Sequence, residues 1–231
     1  MSKQFRDKKC VYCVDNFSTS VGDHIFARQF FPEELRNNLP KVPACKQCND
    51  QKSQLEHYAT TVFPFGAQHQ HALPNLEKVK DRLAKNQKLH RELKSGASTI
   101  ISPENSLPIM TILIDTQKVM DLFKYITKGL IWHHWEVYIL SESDVGVRLI
   151  TKETEEHYDS WFLNVPSVTN NLGDGTFMYE GKRGSDNKYS CWKFQFLGGA
   201  NLTNDQTTFT SLVAITAPSN FLKKAVAMGF Y

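Results

Sequence analysis

The chain has 231 residues, 41% hydrophobic and 22% charged, so it can bury a sizeable core and has neither a disordered nor a fibrous composition. A net charge of +3 permits a nucleic-acid partner without requiring one, since dedicated binding domains are usually more basic. Five cysteines, four of them in CxxC pairs, argue for metal in a reducing compartment rather than a disulfide framework.

The first residues, Met-Ser-Lys-Gln-Phe-Arg-Asp-Lys-Lys, have no apolar stretch of the signal-peptide kind. No run reaches the roughly eighteen apolar residues that span a bilayer, so the expectation is a cytoplasmic protein without membrane contact.

Cys10-x-x-Cys13 and Cys45-x-x-Cys48 are two knuckles suited to grip one tetrahedral zinc ion. Four sulfurs close such an ion and leave no position for water, so chemistry needs a second metal. Asp23, His24 and Asn49 are the hard oxygen and nitrogen donors that can build that second site. Between and after the knuckles a strand is expected at 23–26, then a proline-held loop with Phe30, Phe31 and Leu35 as apolar fill. A second strand follows at 41–44, and a helix at 49–61 that turns Leu55, Tyr58 and Val62 inward.

Residues 63–73 read as a linker. Asn75 is expected to cap a helix with Leu76, Val79, Leu83 and Leu93 on one stripe. Over 76–95 that helix holds seven Lys and Arg against three acids. A strand at 110–114 leads to a helix capped by Asp115 or Thr116, with Val119, Leu122, Phe123, Ile126 and Leu130 at helical spacing. Short β segments follow at 147–150, 160–163, 177–179, 189–196 and 207–215. Cys191 reads as a buried apolar thiol. The predicted class is α+β. Residues 1–62 form a zinc-stapled unit and 63–108 a linker with a basic helix. Residues 109–231 form a mixed domain of one long helix against antiparallel strands, unassigned in role or serving target recognition.

Four motif elements occur in order over roughly residues 8–60. They are Cys10-x-x-Cys13, Asp23-His24-Ile25, Asn38-Leu39 and Val42-Pro43-x-Cys45-x-x-Cys48-Asn49-x-x-Lys52. Together they resemble the four-cysteine form of the HNH endonucleases. Lys128-Gly129-Leu130 and the run from Trp192 to Gly199 are more weakly similar to the tails of small bacterial and phage HNH proteins.

The resemblance implies a ββα-metal finger with His24 as general base. Asp23 and Asn49 would be ligands of a catalytic Mg2+ or Mn2+, and Asn38 would orient the loop. Lys52, one turn beyond Asn49, is placed to touch phosphate, with Arg28 and Lys46 as further phosphate contacts. His57 is a rival metal ligand, and so is Glu56. His69 and His71 read as loop polarity, and His133 and His134 as aromatic packing at a helix end.

The implied function is metal-dependent hydrolysis of DNA phosphodiester bonds, with zinc as the structural ion. A monomer would nick, and a homodimer would cut both strands. Two alternatives stay open: a non-catalytic zinc-finger module that binds nucleic acid, and an HNH nuclease acting on RNA or modified DNA.

Overall fold

The computed structural model describes residues 4–19, 21–67, 69–101, 108–140, 143–161, 164–198, 202–204, 207–209 and 211–222. Strands β1 (Asp23–His24) and β2 (Lys41–Val42) pair antiparallel, Asp23 opposite Val42 and His24 opposite Lys41. Helix α1 (Lys46–Val62) follows at once, with the Cys45 sulfur accepting from the Cys48 amide at its N-cap. Three short helices come next: α2 (Ala72–Glu77), α3 (Val79–Lys85) and α4 (Gln87–Ser95). A hairpin of β3 (Ser98–Ile101) and β4 (Pro108–Thr111) leads into α5 (Thr116–Trp135).

The rest of the chain holds β5 (Ser143–Ile150), α6 (Lys152–Trp161), β6 (Ser167–Leu172), β7 (Phe177–Arg183) and β8 (Ser190–Phe196). A small pair, β9 (Leu202–Asn204) and β10 (Thr207–Phe209), precedes the last strand, β11 (Ser211–Pro218). The main sheet is antiparallel, in the order β5-β11-β8-β7-β6.

Helix α5 holds the fold together. Asp115 caps it by accepting from the Lys118 amide at 3.1 Å, and Glu136, in a left-handed conformation at φ 53°, ends it. Its buried stripe includes Val119, Leu122, Phe123, Ile126 and Leu130, the i, i+3, i+4 spacing of an apolar helix face. That helix packs against α1 and β2 on one side and against β5 and β11 on the other. Gly129 lets it come close to the N-terminal ribbon: a Cβ there would lie 3.1 Å from Ile25 Cγ1, next to the Asp23-His24 pair.

Aromatic rings join the N-terminal segment to the sheet. Phe26 meets Phe177 at 4.4 Å between centroids and Phe30 meets Phe196 at 4.6 Å, while Phe123 of α5 meets Phe194 at 5.1 Å. One cluster of buried side chains runs from Phe5 to Ala214, so segments 1–62, 63–108 and 109–231 share a core.

Several expectations are corrected. The strands of the ribbon are shorter than 23–26 and 41–44, and α1 begins at Lys46 rather than near Asn49. The linker expected at 63–73 is packed in part, since Phe63 is buried against Phe30 and Phe196. Asn75 caps no helix: it lies inside α2, where its Nδ2 donates to the Phe30 carbonyl at 2.9 Å and the His71 carbonyl at 3.1 Å. The cap in this region is Asn86, which accepts from the Leu89 amide and divides the predicted single helix. Residues 160 and 161 belong to α6 rather than to a strand, and 162–163 lie outside the described residues. Strand β6 was not foreseen at all, because Ser-Val-Thr-Asn-Asn-Leu offers no apolar alternation.

Candidate functional site

The cysteine sulfurs of Cys10, Cys13, Cys45 and Cys48 all lie within 4.8 Å of one another. Tetrahedral Zn–S bonds of about 2.3 Å require sulfurs about 3.8 Å apart, and Cys13 and Cys45 stand at 4.0 Å. The group therefore fits a metal ion such as zinc. Local backbone builds it: the Cys10 amide donates to the Asn16 carbonyl and the Val14 amide to the Cys10 carbonyl, curling the first knuckle. The second knuckle is the N-terminal turn of α1, where the helix dipole favours thiolate.

Burial raises the thiols of Cys10 and Cys48. Burial also works to raise Cys13, but the backbone amides of Asn16 and Asp15 and the neighbouring thiols bring it down to about 7. A metal ion would make thiolates of all four.

Next to the cysteine cluster, β1 and α1 face each other across a buried polar knot. Lys52, 0% exposed, reaches Asp23 Oδ2 at 3.0 Å and donates to the His24 carbonyl at 2.7 Å. The same ammonium pairs with Glu56 Oε1, one turn along the helix. From the first knuckle, the Tyr12 hydroxyl donates to Asp23 Oδ2 at 2.7 Å. Asp23 is 9% exposed, and among the described residues its Oδ1 has no hydrogen-bond partner.

Asn49 lies on the same side of α1, since positions 49, 52 and 56 stand at i, i+3 and i+7. It is exposed at the helix start, and its amide bonds to the Cys45 carbonyl at 3.0 Å. The arrangement therefore sets Asp23 and the His24 carbonyl against the side of α1 that carries Lys52 and Glu56, and Asn49 lies on that same side beside the cysteines.

The electrostatics of this knot follow from burial. His24, half-buried, is lowered to about 4 by burial first and then by the nearby charge of Lys41, with Asp23 opposing and Arg28 and Lys52 adding to the fall. Glu56 is raised by burial against the pull of Lys52. Tyr12 is raised well above the ordinary phenol by burial and then by Asp23, which keeps its hydroxyl a donor.

The other predicted residues fall as follows. Lys52 is not at the surface to meet phosphate, because its ammonium is held by Asp23, Glu56 and the His24 carbonyl. Arg28 is exposed four residues past His24, and Lys46 is exposed and pairs with Asp50. Asn38 is an exposed turn residue at φ 67°, a left-handed conformation that Asn tolerates. The tie between this loop and β1 is made instead by Pro40, whose carbonyl accepts from the Ile25 amide at 2.9 Å.

His57 lies about 140° round the helix from Lys52, so Glu56 joins the knot and His57 does not. His71 Nδ1 stands 2.7 Å from Thr176 Oγ1, and His134 Nε2 stands 2.9 Å from the Tyr179 hydroxyl. Tyr12 and Lys41 were missed. The signal for Tyr12 was its place inside the first CxxC pair. For Lys41 it was the register that sets it across from His24.

Among known proteins, no family model matches this chain, and neither does any curated protein or solved structure. Among the described residues no helix is long and apolar enough to cross a membrane.

Proposed function

We propose that this chain is a zinc-stabilised, divalent-metal-dependent endonuclease of the HNH kind, hydrolysing phosphodiester bonds in DNA. The observation that carries this reading is the Asp23 carboxylate of β1 held by Lys52 against the side of α1 that begins at Asn49, directly beside four cysteines that fit a metal ion. The donor set suits a hard cation. Asp23 has one carboxylate oxygen taken by Tyr12 and Lys52 and the other without a partner among the described residues, and Asn49 would add an amide oxygen.

A bound Mg2+ or Mn2+ would supply charge neutralisation at the phosphate and the departing 3′-oxygen. His24, unprotonated at neutral pH, accepts the proton of the attacking water. The negative charge of a phosphodiester beside His24 would oppose the lowering by Lys41, Arg28 and Lys52. Asn49, at the head of α1, would be the second residue to hold such an ion. Exposed Arg28 and Lys46 hold the flanking phosphates.

One observation favours a second reading, a non-catalytic zinc-stapled module that grips nucleic acid. The Asp23 carboxylate already has Lys52 as its counter-ion, so the protein is complete without a second metal.

The test is cleavage of supercoiled plasmid with Mg2+ or Mn2+, comparing wild type with His24→Ala at equal zinc content. Loss of about 10²–10⁴-fold in nicking rate in the variant is the expected result for a general base. Wild-type protein that binds DNA and RNA but cuts neither would leave the second reading.

A further inference from the structure

Both donors on Asp23 Oδ2 come from residues that cannot reach a substrate. Tyr12 is 4% exposed and Lys52 0% exposed. Each is locked on its far side as well. The Tyr12 carbonyl accepts from Lys128 Nζ at 3.0 Å, and its ring meets the Tyr125 ring edge-on at 5.0 Å. Tyr125 in turn donates to Gln51 Oε1 of α1 at 3.0 Å. Lys52 bridges the Asp23 side chain, the His24 carbonyl and Glu56. The two donors thus come from different elements, one from the first cysteine knuckle and one from α1.

We infer that Tyr12 and Lys52 are positioning residues that aim the Asp23 carboxylate, and that Tyr12 makes that aim depend on the four-cysteine metal. The inference rests on the proposed metal site at Asp23. A carboxylate with two free oxygens swings about its Cβ–Cγ bond and presents either one to a cation. Two donors on Oδ2 remove that freedom and leave Oδ1 as the oxygen offered.

Tyr12 sits between Cys10 and Cys13, so the backbone that presents its hydroxyl is the loop that an ion in the cysteine group would clamp. Metal in that group would then do more than hold the fold: it would fix the donor that orients a ligand of the other site. Partners of this kind typically change metal affinity by about 10–100-fold when removed. Tyr12 touches no reacting atom, so its loss weakens the site without removing the base.

The experiment uses full-length, zinc-loaded protein and reads free Mn2+ by electron paramagnetic resonance, with plasmid nicking measured on the same samples. The variants are Asp23→Asn, Tyr12→Phe and, as a control that spares Asp23, Tyr125→Phe. Expected are loss of Mn2+ binding in Asp23→Asn, about tenfold weaker binding in Tyr12→Phe, and wild-type binding in Tyr125→Phe. Nicking by Tyr12→Phe should return close to wild type at saturating Mn2+.

Tyr12→Phe that binds Mn2+ as tightly as wild type overturns the inference and leaves the nuclease reading standing. Wild type that binds Mn2+ no better than Asp23→Asn overturns both. If Tyr12→Phe loses zinc or melts early, site-specific 3,5-difluorotyrosine at position 12 replaces it. It keeps the ring and the hydroxyl and makes the phenol a more acidic donor, so unaltered Mn2+ binding there again overturns the inference.

Discussion

Lys52 shows how one side chain can be read correctly for its neighbourhood and wrongly for its task. Its spacing from Asn49 put it on the correct side of α1, but spacing says nothing about depth, and at 0% exposure the ammonium serves two carboxylates instead of a phosphate. Breaking a buried pair from one side leaves uncompensated charge, so Lys52→Met should destabilise by about 3–5 kcal/mol.

The pH dependence of that loss follows from Glu56. Its carboxyl is already raised by burial, and Lys52 is the charge that opposes the rise, so the variant raises it further. A carboxyl with a folded pKa above its unfolded value contributes stability at low pH that is lost as pH rises through the folded pKa. The gap between Lys52→Met and wild type in urea midpoint should therefore be smaller at about pH 4.5 than at about pH 7.5. A gap that is equal at both pH values would mean that Glu56 is not left buried and charged.

At the scale of elements, α3 and α4 carry the strongest charge pattern outside the site. Lys78, Lys80, Lys85, Lys88, Arg91 and Lys94 are all exposed, while Val79, Leu89 and Leu93 are buried beneath them. Arg82 breaks the pattern: it is partly buried and donates to the Thr60 carbonyl, fastening α3 to α1. This helix pair is thus anchored to the element that bears Asn49, with its basic residues turned to solvent. On the nuclease reading those bases follow a phosphate backbone.

Replacing Lys88, Arg91 and Lys94 together by Gln should then reduce the slope of log affinity for DNA against log salt by up to about 2.7, with zinc content and melting unchanged. An unaltered slope would make the stripe a solvated helix face. Legibility at this scale followed the strength of the local signal. Helix α5 could be read from its cap and its 3.6-residue period, and β8 from the alternation of Ser190, Trp192, Phe194 and Phe196. Helix α6 and strand β6 are polar and lie against the sheet or at its edge, so tertiary pairing rather than pattern defines them. The division of the basic helix at Asn86 turned on one residue at φ −123° and ψ 78°, which composition does not reveal.

Over the whole molecule, the sharing of one core between the cysteine segment and the C-terminal sheet was the least legible feature. Sequence reading divides a chain where composition shifts, and residues 63–73 look like such a place, but Phe63 of that stretch packs on Phe196 of β8. The glycines that allow close contact are equally silent in sequence. At Gly173, φ 60°, a Cβ would meet the Phe31 ring at 2.3 Å, so the β6–β7 turn presses directly on the N-terminal segment.

This shared core would make a metal ion held by the four cysteines a determinant of the stability of the whole chain. Structural zinc contributes about 10–16 kcal/mol in small finger peptides, as much as or more than the about 5–15 kcal/mol that holds an ordinary domain folded. Tryptophan fluorescence should report the coupling from both ends. Trp132 meets Phe5 near the first knuckle at 6.3 Å, and the fully buried Trp192 packs on Trp135 at 5.0 Å. Removal of zinc by a strong chelator, or the double change Cys45→Ser and Cys48→Ser, should lower the melting temperature of the full chain as a single transition. Far-ultraviolet β-sheet signal and tryptophan emission should move together. If the sheet signal instead persists to the wild-type temperature while the metal-free segment melts alone, the rings of Phe26, Phe30 and Phe63 contribute contact without cooperativity, and the cysteine segment unfolds independently of the sheet.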